Sequence, residues 1–454
     1  MTNTLSTFPY WWQSAALETP PQDLPRLPKR VDVAVIGAGY AGLMAALTLV
    51  RAGRSVVVLD AKEPGFGGST RSGGMVGHGH RLSYPALKAR LGQQKAVQIL
   101  HEGMASLNFC VDLIADQQLD AQFSRVGRFR GAWLASDYDI MGREADQLTR
   151  EVGLEVHVVP KSEQRREIAT DCYHGGLLFP SHGGLHPAHF HRALLARARE
   201  AGAVVIAHTP VTSVRRSSAT GPNGGQNGGP NGGPNGTGDR RAVYTVATAR
   251  GDITAGEVIA ATNGYTGRAT LSLARRLVPM PSYLIATEEL GAERVKAVIP
   301  NSRMIVETGS KHLYFRPSPD GQRIVLGGRA ALHHIPLPDA AQRLKRELQR
   351  LLPQLGDFGV SHCWSGQIAF TRSDLPAIGQ NSAGLWYALG CNGSGVALMP
   401  YLGHKLALKI LGRPDHATAY DDVPFKAVPL YDGTPWFQPA LTYWWRAKDA
   451  WRGN

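Results

Sequence analysis

Three glycines at the spacing Gly37-Ala38-Gly39-Tyr40-Ala41-Gly42, with an acid at Asp60, are the residues of this chain whose types and spacing speak first of chemistry. Gly37 allows a tight turn, Gly39 lets backbone approach a pyrophosphate, and Gly42 lets a helix pack closely on a strand. The helix N-terminus then turns its partial positive charge toward the phosphates, and Asp60 can accept from a ribose hydroxyl. That chemistry needs a particular setting, and the flanks supply it. Val33-Ala34-Val35-Ile36 reads as a short apolar strand running into the turn. An apolar-periodic segment through Leu43 and Leu47, closing at Gly53, reads as the helix. Ser55-Val56-Val57-Val58-Leu59 reads as a second strand that ends on the acid. With all four pieces in register, the segment predicts dinucleotide binding.

A second glycine loop narrows the choice of dinucleotide. Leu385-Trp386-Tyr387-Ala388-Leu389 enters Gly390-Cys391-Asn392-Gly393-Ser394-Gly395, and a helix is predicted from about 396 to 411. A nicotinamide dehydrogenase needs only the first fingerprint. A second helix N-terminus suits another anionic centre, such as the reduced isoalloxazine, charged at N1 and the C2 carbonyl. Between the two lies Gly65-Phe66-Gly67-Gly68-Ser69-Thr70-Arg71-Ser72-Gly73-Gly74, which offers backbone N–H groups, two hydroxyls and an arginine for a further phosphate contact.

The bulk of the chain is consistent with such an enzyme. Its 454 residues allow two to three domains, and a hydrophobic content of 43% is that of an ordinary globular protein. No segment approaches the roughly 18 apolar residues of a membrane span. The first 29 residues lack a basic start followed by an apolar run, so no secretory signal is read. Cys110, Cys172, Cys363 and Cys391 are widely spaced, which favours a reducing compartment, with the cytoplasm as default, and disfavours a structural zinc site. The net charge of +13 is spread in short runs such as Arg215-Arg216, with no nucleic-acid-binding pattern beside them.

The stretch 221–238, almost wholly Gly, Asn and Pro, predicts a lengthened hairpin loop between strands near 211–214 and 242–248. Further along, 84–118 reads as helical, 121–133 as stranded and 188–202 as a helix. Residues 313–316 and 323–328, joined through Pro317-Ser318-Pro319-Asp320-Gly321, read as an antiparallel pair, and 340–352 as another helix. Nucleotide-binding pieces at both ends thus enclose a middle richer in antiparallel strand.

Taken together, these motifs resemble the FAD-dependent amine and amino-acid oxidases of the D-amino-acid-oxidase / glycine-oxidase superfamily, above all the gamma-glutamylputrescine-oxidase and sarcosine-oxidase-like branch. The resemblance is carried by 35–42, by Gly67-Gly68-Ser69-Thr70-Arg71-Ser72-Gly73-Gly74, by Ala261-Thr262-Asn263-Gly264-Tyr265-Thr266, by 364–371 through Pro376-Ala377-Ile378-Gly379, and by the 390–395 loop. It implies an α/β (α+β) fold with a Rossmann-like FAD-binding domain (31–83, 170–270 and 360–415) interleaved with a mixed or antiparallel-sheet substrate domain (84–169 and 271–359). An N-terminal extension (1–30) and an aromatic C-terminal tail (416–454) flank them. It implies that Gly37, Gly39 and Gly42 hold the pyrophosphate and Asp60 the ribose. Ser69, Thr70 and Arg71 would line the path to the flavin, Val211 would meet the adenine end, and Gly393, Ser394 and Gly395 would face the pyrimidine ring. Tyr40, Ala41, Ala61, Gly73, Gly74, Thr262 and Gly366 are further expected cofactor positions. The family's covalent cysteine aligns with Gln367, four residues after Cys363, so FAD is expected to be non-covalent. The oxygen-activating lysine of some oxidases aligns with Val325.

The implied reaction is oxidation of a C–N bond in a small amine or N-substituted amino acid. A hydride passes to the flavin, the imine hydrolyses, and dioxygen is reduced to hydrogen peroxide; a dehydrogenase feeding a quinone or carrier is the alternative. Strand periodicity puts His312, Tyr314 and Arg316 on one face, opposite Leu313 and Phe315. There Arg316 is expected to clamp a substrate carboxylate and Tyr314 to orient it. His78, in Gly77-His78-Gly79-His80, is expected to keep the amine neutral or to supply the cation missing at Val325. The expected partner is a small amine or amino-acid-like substrate with a carboxylate; no metal, nucleic acid or membrane span is expected, and the residues set no oligomeric state. The aromatic tails, Tyr10-Trp11-Trp12 and Trp436 with Tyr443-Trp444-Trp445 and Trp451, are expected to dock on the body.

Overall fold

The β-branched strands Arg30–Ile36 and Val56–Leu59 pair in parallel, as the alternation of strand and helix requires, and lie at the heart of an eight-stranded sheet. We describe the fold from a computed structural model, which covers residues 5–19, 25–217, 243–438 and 444. Strand Gly251–Ala260 flanks Arg30–Ile36 on its other side, again in parallel, and is followed by Trp386–Leu389 and Ala377–Gln380. Val204–Ile206 closes the opposite edge. Strands Val211–Ser217 and Val243–Thr248 pair antiparallel, as the hairpin reading expects; the 221–238 stretch itself lies outside the described residues.

The second sheet also has eight strands, in the order Val360–Thr371, Leu277–Thr287, Ile324–Gly328, Tyr314–Pro317, Met304–Glu307, Arg128–Gly131, Gly176–Phe179, His157–Val159. All neighbours are antiparallel except Met304–Glu307 and Arg128–Gly131. One face is sealed by helix Leu337–Leu351, whose Ala340, Ala341, Leu344, Leu348 and Leu351 recur at helical spacing and are buried. The other face looks toward the first sheet, and the site lies between them.

The domain boundaries shift from the sequence reading. Strands Gly176–Phe179 and Val360–Thr371, assigned there to the nucleotide-binding part, pair within the second sheet. The predicted strand 121–133 shortens to Arg128–Gly131, because Gln122 and Gly127 hold positive φ (47° and 77°) and break the extended run before it.

Of the aromatic tails, the N-terminal one docks. Trp11 is fully buried, donates its indole N–H to the Ser72 carbonyl (2.8 Å), and packs edge-on against Trp364 and His186. Trp436 is more than half exposed, which departs from the docking expectation, while Trp444, also more than half exposed, borders the cavity between the two sheets; Tyr443, Trp445 and Trp451 lie outside the described residues. Among the described residues no helix is long and apolar enough to cross a membrane.

Candidate active site

The Gly37–Gly42 turn is built as its glycines require. Gly37 has φ +102°, and a Cβ on Gly42 would collide with the Gly37 carbonyl oxygen. Only glycine at 42 lets helix Tyr40–Arg51 start directly against strand Arg30–Ile36. Its N-cap, Gly39, has no side-chain cap; Ser69 Oγ accepts from the Tyr40 N–H (3.1 Å), and the remaining first-turn N–H groups are left to a ligand or solvent. Asp60 braces the turn: its carboxylate accepts from the Ala38 N–H (2.8 Å) and the Lys62 N–H (3.0 Å). Burial raises the Asp60 pKa against the lowering effect of those N–H groups.

A second helix, Gly395–Leu411, likewise begins without a side-chain cap at Ser394. Both open helix ends border one cavity of about 1250 Å³. At this cavity the structure brings together Gly37, Gly39, Tyr40, Ala41, Asp60, Ala61, Ser69, Arg71, Gly73, Val211, Thr262, Gly366, Gly393, Ser394 and Gly395, along with His78 and Tyr314. Two uncapped helix N-termini, an acid at the strand end and a continuous groove between them fit an FAD molecule.

Four expected residues do not reach the cavity. Gly42 acts through packing alone. Thr70 is turned away, donating to the Gly65 carbonyl (2.6 Å) and accepting from the Trp12 indole (2.9 Å). A Cβ on Gly74 would collide with the Leu185 carbonyl, so this position too is structural. Arg316 is the main correction. Its guanidinium is spent on the carbonyls of Gly74 (3.1 Å), Leu185 (2.9 Å) and Pro317 (3.0 Å), with Trp11 lying over it at 6.0 Å. It shares the Tyr314 face, as strand alternation requires, but the docked N-terminal segment covers that end, and Arg316 does not line the cavity where a substrate carboxylate would lie.

Tyr314 does face the cavity. Its ring lies across Gly327, where a Cβ would collide with it, and its hydroxyl meets Ser282 Oγ at 3.1 Å. His78 also lines the cavity, but burial, Arg128 and His80 pull its pKa to about 3. It is therefore uncharged at neutral pH and cannot supply the cation expected of it. Val325 is buried beside Trp11 and Trp364, away from the cavity. Gln367 lines the cavity, its side chain bonded to His334 (2.8 Å), whereas Cys363 lies in the core on the other face of the sheet, where burial raises its thiol to about 12.

The sequence reading passed over several cavity residues. Cys391 is one, its Sγ accepting from Asn263 (3.2 Å). Arg81, Arg128 and Arg130 are others; with Arg329, which the sequence did offer as a weaker candidate for the carboxylate clamp, they give the lobe beyond Tyr314 a cationic lining. Arg81 pairs with Asp374 (2.8 Å) and Arg130 with Glu144 (3.1 Å). A signal was present in the sequence: Arg128-Phe129-Arg130 alternates, Phe129 is fully buried in the core, and both arginines must then point to the opposite, cavity-facing side. Among the described residues no group of three or more histidines, cysteines and carboxylates could hold a metal ion.

Buried neutral histidines make the fold acid-sensitive. Burial, as the first cause, depresses His78 and His186 to about 3 and His80, His191, His312 and His362 to about 4. Folded-state values below the unfolded 6.5 mean full stability above pH 6.5 and loss as the unfolded chain alone takes up protons below it. Glu307, raised to about 7 by burial, and Asp60, also raised, tilt the other way, against these six and the likewise lowered His182 and His404. Thermal melts should lose on the order of 5 kcal/mol of stability between pH 6.5 and 5; a flat melting temperature over that range would show these histidines to be solvated.

The comparisons with known proteins agree with this geometry. The family model for DAO, FAD dependent oxidoreductase, matches residues 32–408. The gamma-glutamylputrescine oxidoreductase of Escherichia coli (strain K12) is 26% identical over 400 residues, covering 88% of each chain. The Rhizobium meliloti (strain 1021) protein named probable oxidoreductase OrdL is 25% identical over 446 residues, covering 97% of each. The crystal structure of glycine oxidase from Geobacillus kaustophilus superposes with a TM-score of 0.69 at 19% identity, covering 88% of this chain and 99% of that one, and so shares the fold. This chain belongs to the DAO family of FAD-dependent oxidoreductases and is an enzyme acting on CH–NH or CH–NH2 groups.

Proposed function

We propose that this enzyme oxidises the C–N bond of a small amine that carries a carboxylate. One observation carries the reading: the groove between the two uncapped helix N-termini is continuous with a lobe lined by Tyr314, Arg81, Arg128, Arg130 and Arg329. Gly37, Gly39, Asp60, Ser69 and Arg71 would hold the diphosphate and ribose half of FAD, and Gly393 to Gly395 the flavin end. When bound, FAD supplies the two-electron acceptor for the carbon beside nitrogen. The chain's own residues do the rest. The lobe's arginines, two of them ion-paired with Asp374 and Glu144, disfavour an ammonium beside them, so the substrate is held as the free amine. Tyr314, fixed by Ser282, orients it. Met280, Leu284, Ile368 and Phe370 give the cavity an apolar wall that excludes water from the reacting carbon. The relatives named for gamma-glutamylputrescine and glycine support nitrogen-bearing substrates.

Dioxygen is the proposed acceptor, giving hydrogen peroxide. A quinone or carrier is the second reading, favoured by Val325 and the uncharged His78. Four free cysteines suit the cytoplasm as the site of action. The test is turnover of a carboxylated-amine panel, followed by peroxide release and by dye reduction under argon. Peroxide formation supports the oxidase, dye reduction alone supports the dehydrogenase, and neither refutes amine oxidation. Acid precipitation of the enzyme checks the attachment. Colour in the supernatant fits non-covalent FAD, and colour in the pellet would implicate Cys391.

A further inference from the structure

Arg128 and Arg316 lie in one row on the same face of the second sheet, separated by Met304. Met304 pairs with Arg128, and the Ile305–Phe315 register sets Met304 opposite Arg316. Their surroundings are opposite. Arg316 is covered by Trp11 and has three carbonyl acceptors. Arg128 borders the cavity, and its Nε is buried with no hydrogen-bond partner. The neighbouring carboxylate does not serve it, because Glu144 is engaged by Arg130 (3.1 Å) and accepts from the Tyr84 N–H (3.1 Å).

Unpartnered polar atoms gather around this arginine. Among the described residues eight buried side-chain nitrogens and oxygens lack a partner, and five of them belong to Arg128, His78, His80 and His182. The His78 and His182 rings meet edge to face at 4.3 Å. An Arg128 terminal nitrogen lies 3.6 Å from where a Cβ on Gly79 would sit, so the guanidinium rests against the His78–His80 segment. Burial and Arg128 hold both His78 and His182 neutral, which leaves each imidazole one N–H to donate. A desolvated guanidinium without a counter-ion, beside two neutral donors, is a destabilised arrangement that a planar anion would relieve by charge-assisted hydrogen bonds.

We infer that Arg128, with His78 and His182, is an anion subsite that binds the substrate's carboxylate at a distance from the carbon being oxidised. This deepens the amine-oxidation reading and rests on it. The spacing sets the substrate class. Tyr314 leans toward Ser282 and Gly73, on the flavin side, while Arg128 stands two strands away in the other direction and two residues along, roughly 12 Å at ordinary strand geometry. The substrate is therefore an amine whose carboxylate is separated from the reactive C–N bond by a chain of several carbons, rather than an α-amino acid.

Two measurements on the holoenzyme test this. In the first, calorimetric titration with glutarate is compared between wild type and Arg128→Gln. Binding should weaken by at least about tenfold in the variant, with partial recovery in Arg128→Lys. Equal affinity in wild type and Arg128→Gln, or no glutarate binding to wild type, overturns the subsite. In the second, wild type alone is given 5-aminopentanoate, pentylamine and 2-aminopentanoate, so the result stands even where a variant fails to fold. A kcat/KM at least about tenfold higher for 5-aminopentanoate than for both others supports the inference; parity with pentylamine, or preference for the α-amino acid, overturns it. Arg128-dependent glutarate binding without turnover of any amine would leave the subsite in place and refute the amine-oxidation reading instead.

Discussion

Gly42→Ala should yield protein that purifies without yellow colour and does not recover it with added FAD. The added Cβ would occupy the space of the Gly37 carbonyl, with Val35 Cγ1 only 3.1 Å away, so neither strand nor helix can hold its place. Relief requires the first turn of helix Tyr40–Arg51 to move off the strand. That breaks the Gly37–Gly39 turn and releases Asp60 from the Ala38 N–H. Overpacking of this kind costs about 1–3 kcal/mol or more, and here all of it falls on the cofactor cradle. Cofactor affinity should drop by at least about a hundredfold while the second sheet stays folded. Retention of stoichiometric flavin by Gly42→Ala would mean that FAD is held elsewhere in the cavity.

Arg316→Ala should act on stability and leave substrate recognition nearly untouched. The side chain is 4% exposed and its guanidinium is shared among three carbonyls from three parts of the chain. Removing it takes a donor from the Gly74, Leu185 and Pro317 carbonyls, of which Gly74 keeps the Leu185 N–H, and opens a hole beneath Trp11. Each buried carbonyl left unpaired costs about 1–3 kcal/mol, to which the lost packing under Trp11 adds. Denaturant unfolding should show that loss, and the KM of the folded fraction for a carboxylated amine should change less than about twofold. A large rise in KM at unchanged stability would restore Arg316 as a substrate clamp.

These two residues also mark how far the sequence could be read. The requirements on Gly37, Gly39, Gly42 and Asp60 are local: a positive φ, a close approach and an acid at the end of the next strand. Their types and spacing therefore predict the geometry found. The Gly390–Gly395 loop was legible for the same reason, since a strand, a glycine turn and a helix follow one another directly. The substrate lobe was legible only in part. Alternation placed Tyr314 and Arg316 on one face, yet which end of that face stays open depends on Trp11, which docks there from the far end of the chain. Periodicity carries no information about that contact. The Arg128-Phe129-Arg130 alternation was visible in the sequence, but its arginines gain meaning only when strand Met304–Glu307 pairs beside them and brings them to the cavity. The domain boundaries failed for a related reason. Val360–Thr371 contributes Gly366 to Phe370 to the cavity lining while its backbone pairs with Leu277–Thr287, so one strand serves both domains.

The most direct test of amine oxidation is the visible spectrum of the anaerobic holoenzyme on mixing with 5-aminopentanoate and, separately, with 5-hydroxypentanoate. The account predicts loss of the oxidised-flavin absorbance with the amine and none with the alcohol, because the reaction is assigned to a C–N bond and the lobe's arginines favour a free amine over an ammonium. Bleaching by the alcohol, or by neither compound nor any other carboxylated amine, would contradict it.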